Sequence, residues 1–203
     1  MEIQQFLKDL ASDAPTPGGG CASALSGALS ASLTAMVAGY SYRKGQDRDR
    51  EMKELKQESL AIQKKLYGAV EEDARSYDAV IKAFRLPKEE EKERLYRSRM
   101  IQKAYQNATI TPQKVCELSL RLLEISRVLL MRGNRNAFSD AGVAAYLANA
   151  AAGGGLLNMR INLISIKDRA FAKEKERLLR QFSKSRDRLM SAIAKELESV
   201  AGG

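Results

Sequence analysis

The absence of histidine limits which residues of this sequence could do chemistry. Without an imidazole the chain has no His-based catalytic triad, no His-rich metal site and no imidazole acid or base. Proton transfer must therefore depend on Asp, Glu, Lys, Tyr or Cys. The two cysteines, Cys21 and Cys116, are too few for a zinc knuckle and lie far apart in the sequence, so we expect a reduced, cytoplasmic chain without a metal site.

Asp73 stands out among the carboxylates because it falls on the apolar side of a long predicted helix. That side repeats in steps of three and four residues: Met52, Leu55, Ser59, Ile62, Leu66, Ala69, Asp73, Tyr77, Val80 and Phe84. A carboxylate in such a row must be paired, hydrogen-bonded or raised in pKa, and groups of that kind are enriched in catalytic sites. The alternative is a buried Asp satisfied by a neighbouring Arg or a helix end.

A glycine-rich turn, Gly18–Gly20, leads directly into a second predicted helix. Pro15 and Pro17 prevent helix before the turn, and the three glycines allow unusual backbone angles. Free backbone N–H groups and the positive end of the helix dipole converge there, an arrangement that suits a bound anion. The alternative is that the glycines only permit a tight turn and close packing.

A polar turn precedes the other uncharged helix of the chain. Ser139 followed by Asp140 predicts a helix N-terminus, with Ser as the cap and a carboxylate in the first turn. The run Ala141–Met159 carries no charge and consists mostly of Ala and Gly, and Gly18–Tyr42 is likewise uncharged and rich in Ala, Ser and Gly. We therefore expect these two small-residue helices to pack closely against each other.

A longer pattern connects these segments. It consists of the run PTPGGGCASAL from Pro15 to Leu25, the run DARSYDAV from Asp73 to Val80, and the run SDAGVAA from Ser139 to Ala145 with asparagines further on. In this order the pattern resembles the cyclodeaminase/cyclohydrolase family of folate enzymes. One departure is Cys21, because the family commonly has Ser after the third glycine and a thiol is a weaker hydrogen-bonding group.

The resemblance implies an enzyme whose substrate is a tetrahydrofolate carrying a one-carbon unit. The reaction is either loss of ammonia from 5-formiminotetrahydrofolate or hydrolysis of 5,10-methenyltetrahydrofolate, and neither needs a metal or redox cofactor. We expect Asp73 to transfer protons, with Asp140 as the second choice. The implied substrate-binding residues are Gly18, Gly19, Gly20, Asn134, Ser139, Asn158 and Asn162, with Lys44 and Arg160 for the glutamate tail or a carbonyl oxygen.

These assignments place the folate where the Gly18–Gly20 turn approaches the Asn134–Asp140 turn. Each polar residue also has a simpler interpretation. Asp140 could serve only to stabilise its helix, the amide and hydroxyl groups could cap or bridge helices, and the basic residues could be ordinary surface charge. A rival for the whole chain is a non-catalytic helical module of the same fold that binds folate or another protein.

The periodicity predicts one all-α domain over residues 1–203, a bundle of six or seven helices. Helices are expected over 2–11, from the glycines to Tyr42, from about Asp47 to Phe84, over 88–107, from Thr111 to about 132, from Ser139 to 161–165, and from Asp168 onward. Because two helices are uncharged all round, we expect a homodimer with a helical interface.

The formal net charge of +9 does not indicate a nucleic-acid partner. Basic residues alternate with acidic ones, as in Lys173–Arg177, and no groove-reading motif accompanies them. No membrane association is expected either, because the strongly apolar residues of 14–42 are few and form one stripe.

Overall fold

The computed structural model describes residues 2–42 and 49–201, which form seven α-helices and one short 3-10 turn. The helices are α1 (Ile3–Leu10), α2 (Gly19–Ser41), α3 (Asp49–Phe84), α4 (Glu91–Ala108), α5 (Ile110–Arg132), α6 (Phe138–Ile164) and α7 (Arg169–Ala201), with the 3-10 turn at Arg135–Ala137. The described ranges contain no strand. The all-α bundle is therefore confirmed.

The small-residue helices α2 and α6 pack side by side in antiparallel directions. Ser26 Oγ donates to the Leu147 carbonyl at 2.9 Å, and Ser30 Oγ donates to the Ala144 carbonyl at 2.7 Å. A Cβ atom added to Gly154 would overlap the Ser23 hydroxyl. Backbones this close require Gly, Ala and Ser at the contact, which explains why the two helices are poor in large side chains and confirms their predicted pairing.

Helix α3 covers another side of α2, also antiparallel to it. Gly20 lies against Asp73, Gly27 against Leu66 and Gly39 against Lys56. The apolar row of α3 is buried as predicted from Met52 to Ala69. Beyond that point the row is only partly buried: Tyr77 is 38% exposed and Phe84 is 42% exposed, while Val80 packs with Ala83 against Ala104 and Ala108 of α4. The C-terminal third of α3 therefore packs against α4 on one side and forms the wall of a cleft on the other.

Three predicted helix starts are wrong. Helix α4 begins at Glu91, three residues after the predicted start at Lys88, and Glu90 is its N-cap. Helix α6 begins at Phe138, with Ala137 at the N-cap and no side-chain cap, so Ser139 lies inside its first turn. Helix α5 begins at Ile110, not after Thr111, and Pro112 falls in the first turn, where its missing N–H costs no helical hydrogen bond. The predicted start of α3 at Asp47 lies outside the described residues, and α3 is described from Asp49.

Within the described ranges, α2 is the one helix whose length and composition would allow it to cross a membrane. In the bundle it packs against α3, α5 and α6, and 56% of its most apolar 18-residue window is buried. Its N-terminal end reaches Asp73 on α3, and its C-terminal end reaches the turn before α6.

Candidate functional site

Asp73 lies against the first turn of α2. A Cβ atom on Gly20 would overlap both carboxylate oxygens of Asp73, so a larger residue here would displace the carboxylate. Cys21 Sγ lies 3.4 Å from Asp73 Oδ2 and 3.3 Å from the Val70 carbonyl, with both oxygens as acceptors. The backbone N–H of Cys21 also donates to the carboxylate. The anion at this end of α2 is therefore a carboxylate of the protein itself.

The environment of Asp73 favours the protonated carboxyl more than water does. Burial raises its pKa above the usual Asp value, while the hydrogen bonds from the Cys21 thiol and the Cys21 N–H act in the opposite direction. The pKa of Cys21 is itself raised to about 11, chiefly by burial, so near neutral pH its thiol keeps the proton that it donates. A carboxyl group in this setting is suited to exchanging a proton.

A cleft of about 470 Å³ opens beside Asp73 between α3, α4 and α6. Its aromatic walls are Tyr77, Phe84 and Tyr105, and the last two rings meet edge to face with their centroids 6.2 Å apart. Ser76, Asn158, Asn162 and Ser165 add polar groups, while Val80, Ile81, Ala108, Ile161 and Ile164 complete the lining. The cleft thus combines flat apolar walls with a few polar groups and one half-buried carboxylate, as ligand sites commonly do.

Asn158 and Asn162 share this cleft with Asp73, as their spacing on one helix face predicts. Asn158 Nδ2 donates to the Gly154 carbonyl at 2.8 Å, and Asn162 Nδ2 donates to the Ala108 carbonyl at 2.8 Å. The second bond joins α6 to the end of α4. Because these bonds use the amide nitrogens, the carbonyl oxygens of both side chains can accept hydrogen bonds from a ligand.

The Asn134–Asp140 turn does not approach the Gly18–Gly20 turn within one chain, so that prediction is wrong. The Asn134 N–H donates to Ser41 Oγ at 2.8 Å, and Asn134 Nδ2 donates to the Tyr40 carbonyl at 3.2 Å. These contacts hold the turn at the C-terminal end of α2, about 30 Å from Cys21 at the helical rise. Ser139 and Asp140 follow at that same end, away from Asp73.

The two basic candidates have different outcomes. Arg160 lines a separate cavity of about 290 Å³ with Glu176 and Arg180, and the Asp73 cleft has only Ile164 in common with it. Lys44 lies outside the described residues.

The sequence interpretation missed the aromatic walls as site residues. Tyr77 and Phe84 belong to the same helical row as Asp73, and that spacing could have identified them. Tyr105 comes from another helix, so its place in the cleft depends on packing that spacing does not predict. In the described part of the chain, no three His, Cys, Asp or Glu side chains are grouped so that they could hold a metal ion.

Residues 2–181 match the family model described as formiminotransferase-cyclodeaminase. A methenyltetrahydrofolate cyclohydrolase of Methylorubrum extorquens is 37% identical over 85% of this chain and 84% of its own length. A formimidoyltransferase-cyclodeaminase of Rattus norvegicus is 32% identical over 86% of this chain, which spans only 32% of that relative. The crystal structure of a formiminotetrahydrofolate cyclodeaminase from Thermotoga maritima superposes with a TM-score of 0.89 at 27% identity, covering 99% of this chain and 98% of that one.

Proposed function

Because this chain belongs to the formiminotransferase-cyclodeaminase family, we propose that it is a folate one-carbon enzyme whose main reaction is hydrolysis of 5,10-methenyltetrahydrofolate. The cyclohydrolase relative supports this choice, since it matches the chain at 37% identity over most of both lengths. The observation that carries the proposal is Asp73, a carboxyl of raised pKa beside a cleft with aromatic and amide walls.

Asp73 supplies the proton transfers that hydrolysis requires. Water adds its oxygen to the carbon between the two nitrogens of the substrate and gives one proton to Asp73. The bond from that carbon to the 5-nitrogen then breaks, and this nitrogen takes the proton from Asp73. The remaining hydroxyl proton passes to solvent as the formyl carbonyl forms on the 10-nitrogen. A carboxyl whose pKa is raised can both accept and return a proton in this sequence.

The walls of the cleft suit the rest of the substrate. Tyr77, Phe84 and Tyr105 provide flat surfaces against which the pterin and aminobenzoyl rings can pack. The Asn158 and Asn162 carbonyl oxygens can accept hydrogen bonds from N–H groups on the edge of the pterin. Asp73 and the asparagines therefore lie on a surface that fits a flat, hydrogen-bonding ring system.

The same groups could perform cyclodeamination, and the likeness to the Thermotoga maritima enzyme favours it as the second candidate. In that reaction the 10-nitrogen adds to the formimino carbon and ammonia leaves. Asp73 would carry the proton from the 10-nitrogen to the departing amine. The two reactions differ in whether water or the 10-nitrogen attacks the carbon.

The deciding experiment follows the absorbance of the methenyl compound with each substrate. We expect this absorbance to fall when the protein is added to 5,10-methenyltetrahydrofolate, at a rate far above that of buffer alone. If it rises with 5-formiminotetrahydrofolate and does not fall with the methenyl compound, the chain is a cyclodeaminase. If both substrates bind without turnover, the chain is a non-catalytic folate-binding module and the enzymatic proposal is wrong.

We also propose a homodimer formed through the outer face of α2 and α6. Large apolar side chains outside the Asp73 cleft are exposed on these two helices: Leu29, Met36, Tyr40, Val143, Tyr146 and Leu157. Helix α2 carries no charge, and a broad uncharged apolar face is typical of a subunit interface. We propose a second copy of the chain as the partner, because in a two-fold symmetric dimer each subunit covers the apolar face of the other.

Sedimentation of matched variants tests the dimer. Leu29→Glu changes a side chain that is 48% exposed on the outer face, while Leu95→Glu changes one that is 54% exposed on α4. We expect Leu29→Glu to give folded monomers and Leu95→Glu to remain dimeric. A wild-type chain that sediments as a stable, folded monomer at micromolar concentration would contradict the proposal.

The proposed reaction takes place in the cytoplasm without a metal or redox cofactor. The carbon stays at the oxidation level of formate throughout both candidate reactions, so no electron carrier takes part. Cys21 and Cys116 are both free and buried, in keeping with a reducing compartment.

A further inference from the structure

A second cavity, of about 480 Å³, continues the Asp73 cleft. The two spaces share Phe84, Tyr105, Ile164 and Ser165. Phe84 lies eleven residues beyond Asp73 on α3, which corresponds to about 16 Å along the helix. An elongated ligand with one end at Asp73 would therefore extend into this second space, which we call the cationic arm.

The cationic arm takes its charge from Arg97 and Lys167. Ser98, Ile101, Gln102 and Ile166 complete its lining, so the described residues around it include no acid. Asp168, next to Lys167, accepts hydrogen bonds from Ala170 N at 3.0 Å and Phe171 N at 3.1 Å at the start of α7. Among the described ion pairs, none includes Arg97 or Lys167, so neither charge is neutralised by a protein carboxylate.

The arm is held in shape by contacts between α3, α4 and the turn after α6. Arg97 Nε donates to the Phe84 carbonyl at 3.1 Å, and its guanidinium carbon lies 5.6 Å from the centroid of the Phe84 ring. Gln102 Nε2 donates to the Ser165 carbonyl at 2.9 Å, and Gln102 Oε1 accepts from the Lys167 N–H at 2.7 Å. Among the hydrogen bonds of the described residues, Arg97 uses only its Nε donor, so its terminal nitrogens can bind a ligand.

We propose that Arg97 and Lys167 bind the glutamate carboxylates of the folate substrate; this inference rests on the proposed function. With the one-carbon unit at Asp73, the aminobenzoyl ring lies next to it beside Tyr77, and the glutamate tail runs past Phe84 and Tyr105 into the cationic arm. The terminal nitrogens of Arg97 suit a carboxylate because they present parallel donors. Arg160, one of the two basic residues that the resemblance implied for the tail or a carbonyl oxygen, lies on the other side of Ile164, and Lys44 lies outside the described residues.

The first test compares turnover of 5,10-methenyltetrahydrofolate with one and with three glutamates. Lys167→Gln should raise the KM of the triglutamate about fivefold and leave kcat unchanged, because a partly exposed charged contact is lost. Arg97→Gln should have a larger effect on KM, and Arg97→Lys, which keeps the charge but loses the paired donors, should have an intermediate one. The matched control is Lys103→Gln, an exposed lysine on α4 that does not line the arm.

The results separate this inference from the proposed function. If the wild-type protein turns over both substrates but Lys167→Gln and Arg97→Lys have the KM of wild type, the tail does not bind in the arm. If Lys103→Gln raises the KM as much as Lys167→Gln does, the change in KM reflects general surface charge, and the inference is overturned. If wild type turns over neither substrate, the proposed reaction is wrong.

Calorimetry with aminobenzoyl-triglutamate then tests the cationic arm without turnover. Weaker binding of this probe to Lys167→Gln and Arg97→Lys than to wild type supports the inference, and equal binding overturns it.

Discussion

The two ends of α2 have similar small and polar residues but use them differently. At the C-terminal end, Ser41 and Asn134 bind each other and the backbone: Asn134 Oδ1 accepts from Asn136 N at 3.0 Å, and the Asn134 amide donates to Tyr40. At the N-terminal end, Gly20 and Cys21 hold the Asp73 carboxylate beside an open cleft. Only the N-terminal end therefore combines a charged group with a cleft that can hold a ligand, and this combination makes it the candidate site.

The largest expected effect on turnover comes from removing proton transfer by Asp73, at the N-terminal end of α2. Asp73→Asn keeps the size of the side chain and most of its hydrogen bonding, so the fold should survive. Turnover should fall by about a hundredfold or more, the usual scale for losing a positioned general acid or base. Turnover and melting temperature should be measured on the same preparation. Near-normal turnover in a folded Asp73→Asn protein would remove Asp73 from the mechanism.

The next effect comes from the glycine that makes room for this carboxylate. Gly20→Ala adds a methyl group that overlaps both Asp73 oxygens, so the carboxylate must move. We expect a loss of stability of about 1–3 kcal/mol, the usual range for overpacking, together with a clear loss of turnover.

Gly19→Ala is the matched control for this change. A Cβ atom on Gly19 would meet nothing within 4 Å, and Gly19 belongs to the same turn. Stability and turnover of Gly19→Ala should therefore stay near those of wild type. If the two alanine variants lose activity equally, the glycine turn acts through its flexibility or by binding substrate, and not through Asp73.

At the C-terminal end of α2 we expect a substitution to lower stability and to leave enzymatic activity unchanged. Asn134→Ala removes the side-chain acceptor of the Asn136 N–H and the bond to the Tyr40 carbonyl, which should lower the free energy of unfolding by about 1 kcal/mol. Turnover per folded molecule should be unchanged, as measured by titrating folded protein before the assay. Lost turnover in a fully folded variant would instead place this turn in a site shared between subunits.

The sequence predicted the bundle well because helical spacing and small-residue runs determine it locally. The row from Met52 to Ala69 and the pairing of α2 with α6 follow directly from those patterns. The start of α6 was wrong because the 3-10 turn at Arg135–Ala137 replaces the expected Ser139 cap, and a sequence pattern does not distinguish the two.

The candidate site was only partly predictable for a different reason. Asp73 was identified because it lies on a helix face whose direction the spacing gives. Asn158 and Asn162 were implied by the family resemblance, and their spacing of four residues places them on one face. The Asn134–Asp140 turn was misplaced because nothing in the sequence specifies the direction in which α6 runs along α2. Antiparallel packing puts the start of α6 beside the end of α2, so the two polar turns lie at opposite ends of the bundle.

The smallest effect concerns the strength of one hydrogen bond to Asp73. A hydroxyl donates more strongly than a thiol, so Cys21→Ser should stabilise the carboxylate and lower the raised pKa of Asp73. Asp73 must be deprotonated to accept a proton from water, so kcat/KM falls as pH falls through its pKa. The acid limb of the pH profile should therefore shift to lower pH in Cys21→Ser.

Cys21→Ala and Cys116→Ser make this last measurement specific. Cys21→Ala removes the donor, so its acid limb should shift to higher pH than that of wild type. Cys116 is equally buried but is not hydrogen-bonded to Asp73 among the described contacts, so Cys116→Ser should leave the limb unmoved. If all three profiles coincide with that of wild type, the group that titrates in catalysis is not the carboxylate that Cys21 contacts. Opposite shifts in the two Cys21 variants would identify the titrating group as Asp73, because only a direct hydrogen bond makes serine and alanine act in opposite directions at one site.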